Sequence, residues 1–107
     1  MKQTEERKPP SWLKALQDEL CTVYGAQEGL RVSFTVVPGI LADFRKMLEK
    51  AAEGEAVREE YRMEDGRMYL VLEGRAEKRG RARRLIVTGI TAGEKTLSRS
   101  EQGIMVF

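Results

Sequence analysis

The chain has 107 residues, of which 41% are hydrophobic and 34% charged, with a net charge of +2 and no histidine. This length and composition favour one globular domain with a hydrophobic core over a disordered polymer. Without histidine, the chain cannot assemble a Ser-His-Asp triad or, with a single cysteine, a Cys/His zinc site. We expect a non-catalytic protein without a metal or cofactor, with an enzyme that uses carboxylates or lysine as the alternative.

We also expect no membrane-spanning helix, no secretory signal and no internal disulfide. No apolar run approaches the ~18 residues that a membrane-spanning helix requires. Residues 1–10 are charged and polar, unlike a secretory signal, and Cys21 has no second cysteine to pair with. We expect a cytoplasmic protein that has no membrane partner.

The first half of the chain predicts a tail, two helices and one strand. Charged residues and Pro9-Pro10 indicate a disordered tail over residues 1–10. Apolar residues at helical spacing predict a first helix from Ser11 to Gly25. Alternating apolar and polar residues predict a strand from Leu30 to Val37, and a second apolar stripe predicts a helix over Ile40–Glu53.

The second half of the chain predicts strands only. Asp65-Gly66 is the dipeptide preferred in a two-residue hairpin turn, and two apolar runs are typical of central strands. A polar turn is expected over residues 74–82, and a long polar loop over residues 91–103. The expected strands are Val57–Met63, Met68–Leu72, Arg84–Ile90 and Ile104–Phe107.

These elements predict an α+β fold, a two-layer sandwich in the order α-β-α-β-β-β-β. A single domain over residues 11–107 would contain two helices and a mainly antiparallel sheet of four to five strands. Two helices cover one sheet face well and the other poorly. We therefore expect the helices to divide between the faces, or a partner to cover the open one, with a homodimer as the commonest such partner.

The most distinctive segment is basic. Between positions 75 and 84 there are six basic residues and one acidic residue, which leaves the remainder of the chain mildly acidic. Arginine side chains can bind phosphates in a bidentate way and release counterions from a polyanion. We expect a hairpin that binds nucleic acid or another acidic partner through Arg75, Lys78, Arg79, Arg81, Arg83 and Arg84.

Other interpretations stay open. The arginines could simply keep a solvated hairpin tip from aggregating. The chain could instead be a homo-oligomeric interaction or accessory protein that acts through the terminal strand or the uncovered sheet face. The loop over residues 91–103 is either a flexible connector or an anion site formed by Lys95, Ser98, Arg99 and Ser100.

Overall fold

Three helices precede a five-stranded sheet whose strand pairs are all antiparallel, which confirms the expected α+β class. The computed structural model describes residues 11–107, apart from the side chain of Glu64. The tail expected over residues 1–10 lies outside the described residues. The helices are α1 (Ser11–Tyr24), α2 (Ala26–Thr35) and α3 (Val37–Lys50). The strands are β1 (Val57–Arg62), β2 (Tyr69–Arg79), β3 (Ala82–Ala92), β4 (Lys95–Arg99) and β5 (Met105–Val106).

A close crossing joins the first two helices. Gly25, with a φ of 94°, ends α1 as predicted and starts α2 directly. A Cβ atom on Gly29 would lie 2.6 Å from the backbone nitrogen and Cα of Cys21. Gly29 is therefore what allows the backbone of α2 to approach that of α1, and the contact buries Leu20 and Val32 completely.

The strand predicted over Leu30–Val37 is wrong, because residues 26–35 form α2. Its alternation of β-branched and aromatic residues imitates a strand, but Phe34 is the most exposed large apolar residue. The buried positions are Gly29, Val32 and Ser33, which follow helical spacing. Packing against α1 thus overrides local strand propensity, and residues 11–107 form three helices instead of two.

Pro38 accounts for the break between α2 and α3. Val36 has helical backbone angles and its N–H group donates to the carbonyl of Val32, so the chain barely leaves the helical path. Pro38 has no N–H group to donate to the carbonyl four residues earlier, and its ring crowds that carbonyl. Helix α3 consequently begins at Val37 and ends at Lys50, whereas the sequence predicted this helix over Ile40–Glu53.

The sheet has the order β1-β2-β3-β4, with β5 paired to the same edge of β3 beside β4. Both apolar runs expected to be central, in β2 and β3, lie inside the sheet. The polar turn expected over residues 74–82 is wrong, since β2 and β3 continue to Arg79 and from Ala82 around a tight turn at Gly80. The long loop expected over residues 91–103 is also wrong, because it contains β4.

The turn between β1 and β2 occupies residues 64–67, as the expected strand bounds place it, although it is not the two-residue loop that Asp-Gly favours. The Met63 N–H group donates to the Met68 carbonyl at 2.7 Å, which leaves four residues between them. Asp65 and Gly66 both have positive φ values, which glycine adopts freely and aspartate tolerates better than most residues. The dipeptide therefore marks the turn, although it does not determine its length.

Helices α1 and α3 pack on one face of the sheet, and α2 packs on α1 and α3. Their buried residues form one core with alternate residues of β2 and β3: Trp12, Leu16, Leu20, Val32, Val37, Ile40, Phe44, Leu48, Leu70, Leu72, Val87 and Ile90. No described helix covers the other face. Ile86 is nevertheless only 1% exposed there, because Gly103 lies directly against its side chain.

We expect Gly29→Ala to destabilise the protein by about 1–3 kcal/mol, because the added methyl group meets backbone atoms that cannot turn aside. Gly39→Ala in α3 is the matched control, since no atom lies within 4 Å of its added methyl group. It should be neutral or stabilise by up to about 1 kcal/mol through helix propensity. Urea unfolding of both variants checks this, and equal stabilities would contradict it.

Candidate functional site

The candidate site is the face of the sheet that lies opposite the helices. Side chains alternate between faces along each strand, so the register decides which residues share this face. Arg58 on β1, Glu73 on β2, Gly89 on β3 and Arg99 on β4 are successive cross-strand partners and form one row across it. We call this surface the open face.

The open face carries a surplus of positive charge. The register places six arginines and three glutamates on it: Arg58, Arg62, Arg75, Arg79, Arg84 and Arg99, with Glu60, Glu73 and Glu77. Glu101, which lies in a hollow beside Arg75 and Arg99, lowers the excess to two positive charges, equal to the net charge of the whole chain. The arrangement therefore concentrates cationic charge on one side of the molecule.

Glu73 is the central acid of this face. Its carboxylate accepts a hydrogen bond from Nη2 of Arg99 at 2.6 Å and lies 4.0 Å from Nε of Arg58. A Cβ atom on Gly89 would lie 2.8 Å from Oε1 of Glu73, so the glycine provides the space in which this ion pair sits. The glycine adjoins an irregularity in the register, where the β2–β3 pairing shifts after Glu73 and leaves Thr88 as an extra residue.

Arg75 is paired within its own strand. Its Nε atom donates to Oε2 of Glu77 at 2.7 Å. A guanidinium group has five N–H donors, so this bond leaves the terminal nitrogen atoms of Arg75 available. The same holds for Arg99, whose contact with Glu73 uses one nitrogen atom. Each paired arginine thus keeps donors that can face an incoming anion.

Arg62, Arg79 and Arg84 make no ion pair with any described side chain, which leaves Glu64 aside. Arg62 and Arg79 are exposed, and Arg84 is half-buried opposite Glu77. These three side chains are therefore the least compensated cations of the open face.

The six basic residues singled out in the sequence do not share one surface. Arg75, Arg79 and Arg84 lie on the open face. Lys78 and Arg83 are cross-strand partners on the side of the helices, and Arg81 is in the turn at the tip of the hairpin. The hairpin itself exists, but only half of its predicted binding residues face the same way.

Arg83 has a structural partner of its own. Its guanidinium group donates to the carbonyl of Glu49 at 2.8 Å and to that of Ala51. Those carbonyls belong to the last turn of α3 and the residue after it, where a cation is favoured by the helix dipole. Arg83 consequently fastens the hairpin to the helix and is poorly placed to bind a partner.

Sequence reasoning missed Arg58, Arg62 and Arg99 as members of one surface. The alternation in residues 57–63 already places Arg58 and Arg62 on the same side of β1. The missing information was the pairing of β1 with β2, which aligns that side with Arg75. Arg99 was hidden in the polar segment read as a loop, because β4 was not recognised.

The anion site expected in residues 95–100 is divided as well. Lys95 points toward the helices and bonds Oε1 of Glu19 at 3.1 Å. Arg99 and Ser100 line a hollow of about 190 Å³ together with Arg75 and Thr88, and Glu101 also lines it. The part of this segment that can meet an anion therefore belongs to the open face.

We expect Arg83→Ala to destabilise the protein by about 1–2 kcal/mol, because two carbonyls of α3 lose a charged donor. The matched control is Arg81→Ala in the neighbouring turn, where no hydrogen bond or ion pair with residues 11–107 is lost. Thermal unfolding of both variants checks this. A smaller loss for Arg83→Ala than for Arg81→Ala would contradict the contact.

Other kinds of site find no support in the described part of the chain. No helix within residues 11–107 is long and apolar enough to cross a membrane. These residues also contain no group of three or more acidic or cysteine side chains arranged to hold a metal ion. Comparison with known proteins finds no matching family model, no matching curated protein and no matching solved structure.

Proposed function

We propose that this protein is a small non-catalytic binding module that holds a polyanion, nucleic acid above all, against its open face. The observation that carries the proposal is the placement of six arginines on one helix-free side of the sheet, against three glutamates of the strands and Glu101. A surface with this surplus attracts a polyanion and gains free energy from the counterions that the polyanion releases.

The spacing of the arginines suits a phosphate backbone. Alternate residues of a strand are ~6.6 Å apart and neighbouring strands ~4.8 Å apart, so these side chains form a regular array. Arg75 and Arg79 follow one another along β2, and Arg84 lies beside them on β3. Each guanidinium group can bind a phosphate through two parallel hydrogen bonds. Several phosphates of one strand can therefore be bound at once.

The same surface predicts little preference for base sequence. Tyr69 is the one aromatic residue that the register places on the open face, and it is half-buried beside Arg62. Base stacking usually needs a series of exposed aromatic rings. We therefore expect contacts to the phosphates to dominate binding, which makes affinity strongly dependent on salt.

The open face is a poor surface for self-association. Two copies stacked through it would bring two positive surpluses together, which opposes contact. The terminal strand, the other surface expected from the sequence, is reduced to β5 and pairs with β3 at only two positions. These features favour a polyanion over a second copy as the partner of this face. A cytoplasmic location remains a prediction.

Fluorescence anisotropy with a labelled single-stranded oligonucleotide tests the proposal at ~50 and ~200 mM salt. Arg79→Ala combined with Arg84→Ala should weaken binding about tenfold at the lower salt and reduce the salt slope by about 1 to 2. Neither residue has an acidic partner among the described residues, so the change should leave stability intact. Circular dichroism checks that the fold is kept.

The matched control is Lys14→Ala combined with Lys46→Ala, which removes the same charge from exposed positions on the helices. This variant should bind almost as tightly as the unchanged protein. Equal losses in the two double variants would show that net charge, and not the open face, governs binding. Binding that does not change with salt would contradict the proposal altogether.

A further inference from the structure

The outer edge of β1 has no partner strand among the described residues. β1 is the first strand in the order of the sheet, and β2 is the one strand with which it pairs. An unpaired edge presents a row of backbone N–H and C=O groups that can pair with another chain. The question is which chain fits this row.

The hydrogen-bond pattern identifies the groups that point outward. The Met63 N–H group donates to the carbonyl of Met68, its partner in the continued register. Bonded pairs alternate with non-bonded pairs in antiparallel sheets, so Tyr61 and Glu59 also bond inward to β2. The Gly93 N–H group donates to Tyr69 and confirms that this residue of β2 bonds toward β3. The outward groups of β1 are therefore those of Arg58, Glu60 and Arg62.

We propose that a second copy of this chain pairs antiparallel with β1 around a twofold axis at Tyr61. In this register Glu60 lies opposite Arg62 of the second copy, and Arg62 opposite Glu60. These two pairs are bonded through their backbones and carry opposite charges on neighbouring side chains, which stabilises cross-strand pairing. The edge is thus complementary to itself.

Neighbouring registers fit less well. An axis at Glu60 would oppose the two copies of Glu60, and an axis at Glu59 would oppose the two copies of Glu59. Like charges directly opposite each other destabilise a sheet. An axis at Tyr61 instead brings two half-exposed aromatic rings together on the side of the helices. Burial, and the carboxylates of Glu59 and Asp43, raise the pKa of Tyr61, so its ring stays uncharged.

A hollow beside β1 is the surface that the turn of the second copy would meet. It has a volume of about 350 Å³, and its wall carries two basic residues, Lys50 and Arg58, and two acidic ones, Glu55 and Glu59. With the axis at Tyr61, the position opposite Val57 is Asp65 of the second copy, in the turn that follows β1. Asp65 is paired with Arg67 of its own turn, so charge is balanced on both sides of this contact, and Met47, which is 39% exposed, offers it apolar surface.

The charge pairs can be tested by reversing them. Sedimentation of the full chain should show a dimer that Glu60→Arg converts to monomer, since two arginines would then face each other. Combining Glu60→Arg with Arg62→Glu should restore the dimer. Combining Glu60→Arg with Arg58→Glu is the matched control and should not restore it. The proposal is overturned if Glu60→Arg with Arg58→Glu restores the dimer and Glu60→Arg with Arg62→Glu does not. It is also overturned if the wild-type chain stays monomeric at high concentration.

A cysteine at the axis gives a second test. In the background Cys21→Ala, Tyr61→Cys should form an intermolecular disulfide on mild oxidation, because the two Cα atoms at the axis are ~4.5 Å apart. Glu59→Cys in the same background should not, since the axis at Tyr61 separates the two copies of residue 59 by ~13 Å. The opposite result overturns the register.

These tests are independent of polyanion binding. Both measure the association of two chains without any ligand. A monomeric chain could therefore still bind a polyanion, and a dimeric chain could lack that binding. Antiparallel edge pairing around an axis perpendicular to the sheet leaves both open faces on the same side. A dimer of this kind would join the two arginine arrays into one surface.

Discussion

The arrangement depends on a single constraint: the helical layer buries one face of the β2–β3 hairpin and leaves the other without a helix. Phe44 and Leu48 of α3 occupy the buried side without any exposure, and Gly74 lets the ring of Phe44 approach the strand. Because the core lies wholly on that side, alternation sends every second residue of each strand to the opposite one. The charge of the open face is thus a direct consequence of where the helices pack.

Much of this fold could be predicted from residue patterns, and the exceptions have identifiable causes. The stripes of α1 and α3 are long enough for their helical period to be read directly, and the apolar runs of β2 and β3 are short and bounded by polar segments, as central strands are. Residues 26–35, which form α2, give no such signal. Val32, Phe34 and Val36 alternate as in a strand, whereas the small residues Gly29 and Ser33 occupy two of the buried positions. Only contact with α1 decides between the two, and that contact is not visible in the local sequence.

The candidate site could be predicted in part for a similar reason. A count of charges finds the basic segment but cannot divide it between two faces, which requires the hairpin register. That register separates Arg84 from Arg83 and adds Arg58 and Arg99 from distant positions. The number of charges in one segment is therefore a weaker guide to a binding surface than the number of charges on one face of the sheet, because the residues of that face come from several strands.

The glutamates of the open face have a further consequence. Glu73 reduces the positive charge, but it also holds the guanidinium group of Arg99 beside Gly89. A free arginine loses considerable rotamer freedom when a ligand immobilises it, and that loss weakens binding. Here part of the ordering happens when the protein folds. The carboxylate that competes with a phosphate thus also prepares the guanidinium group to receive one.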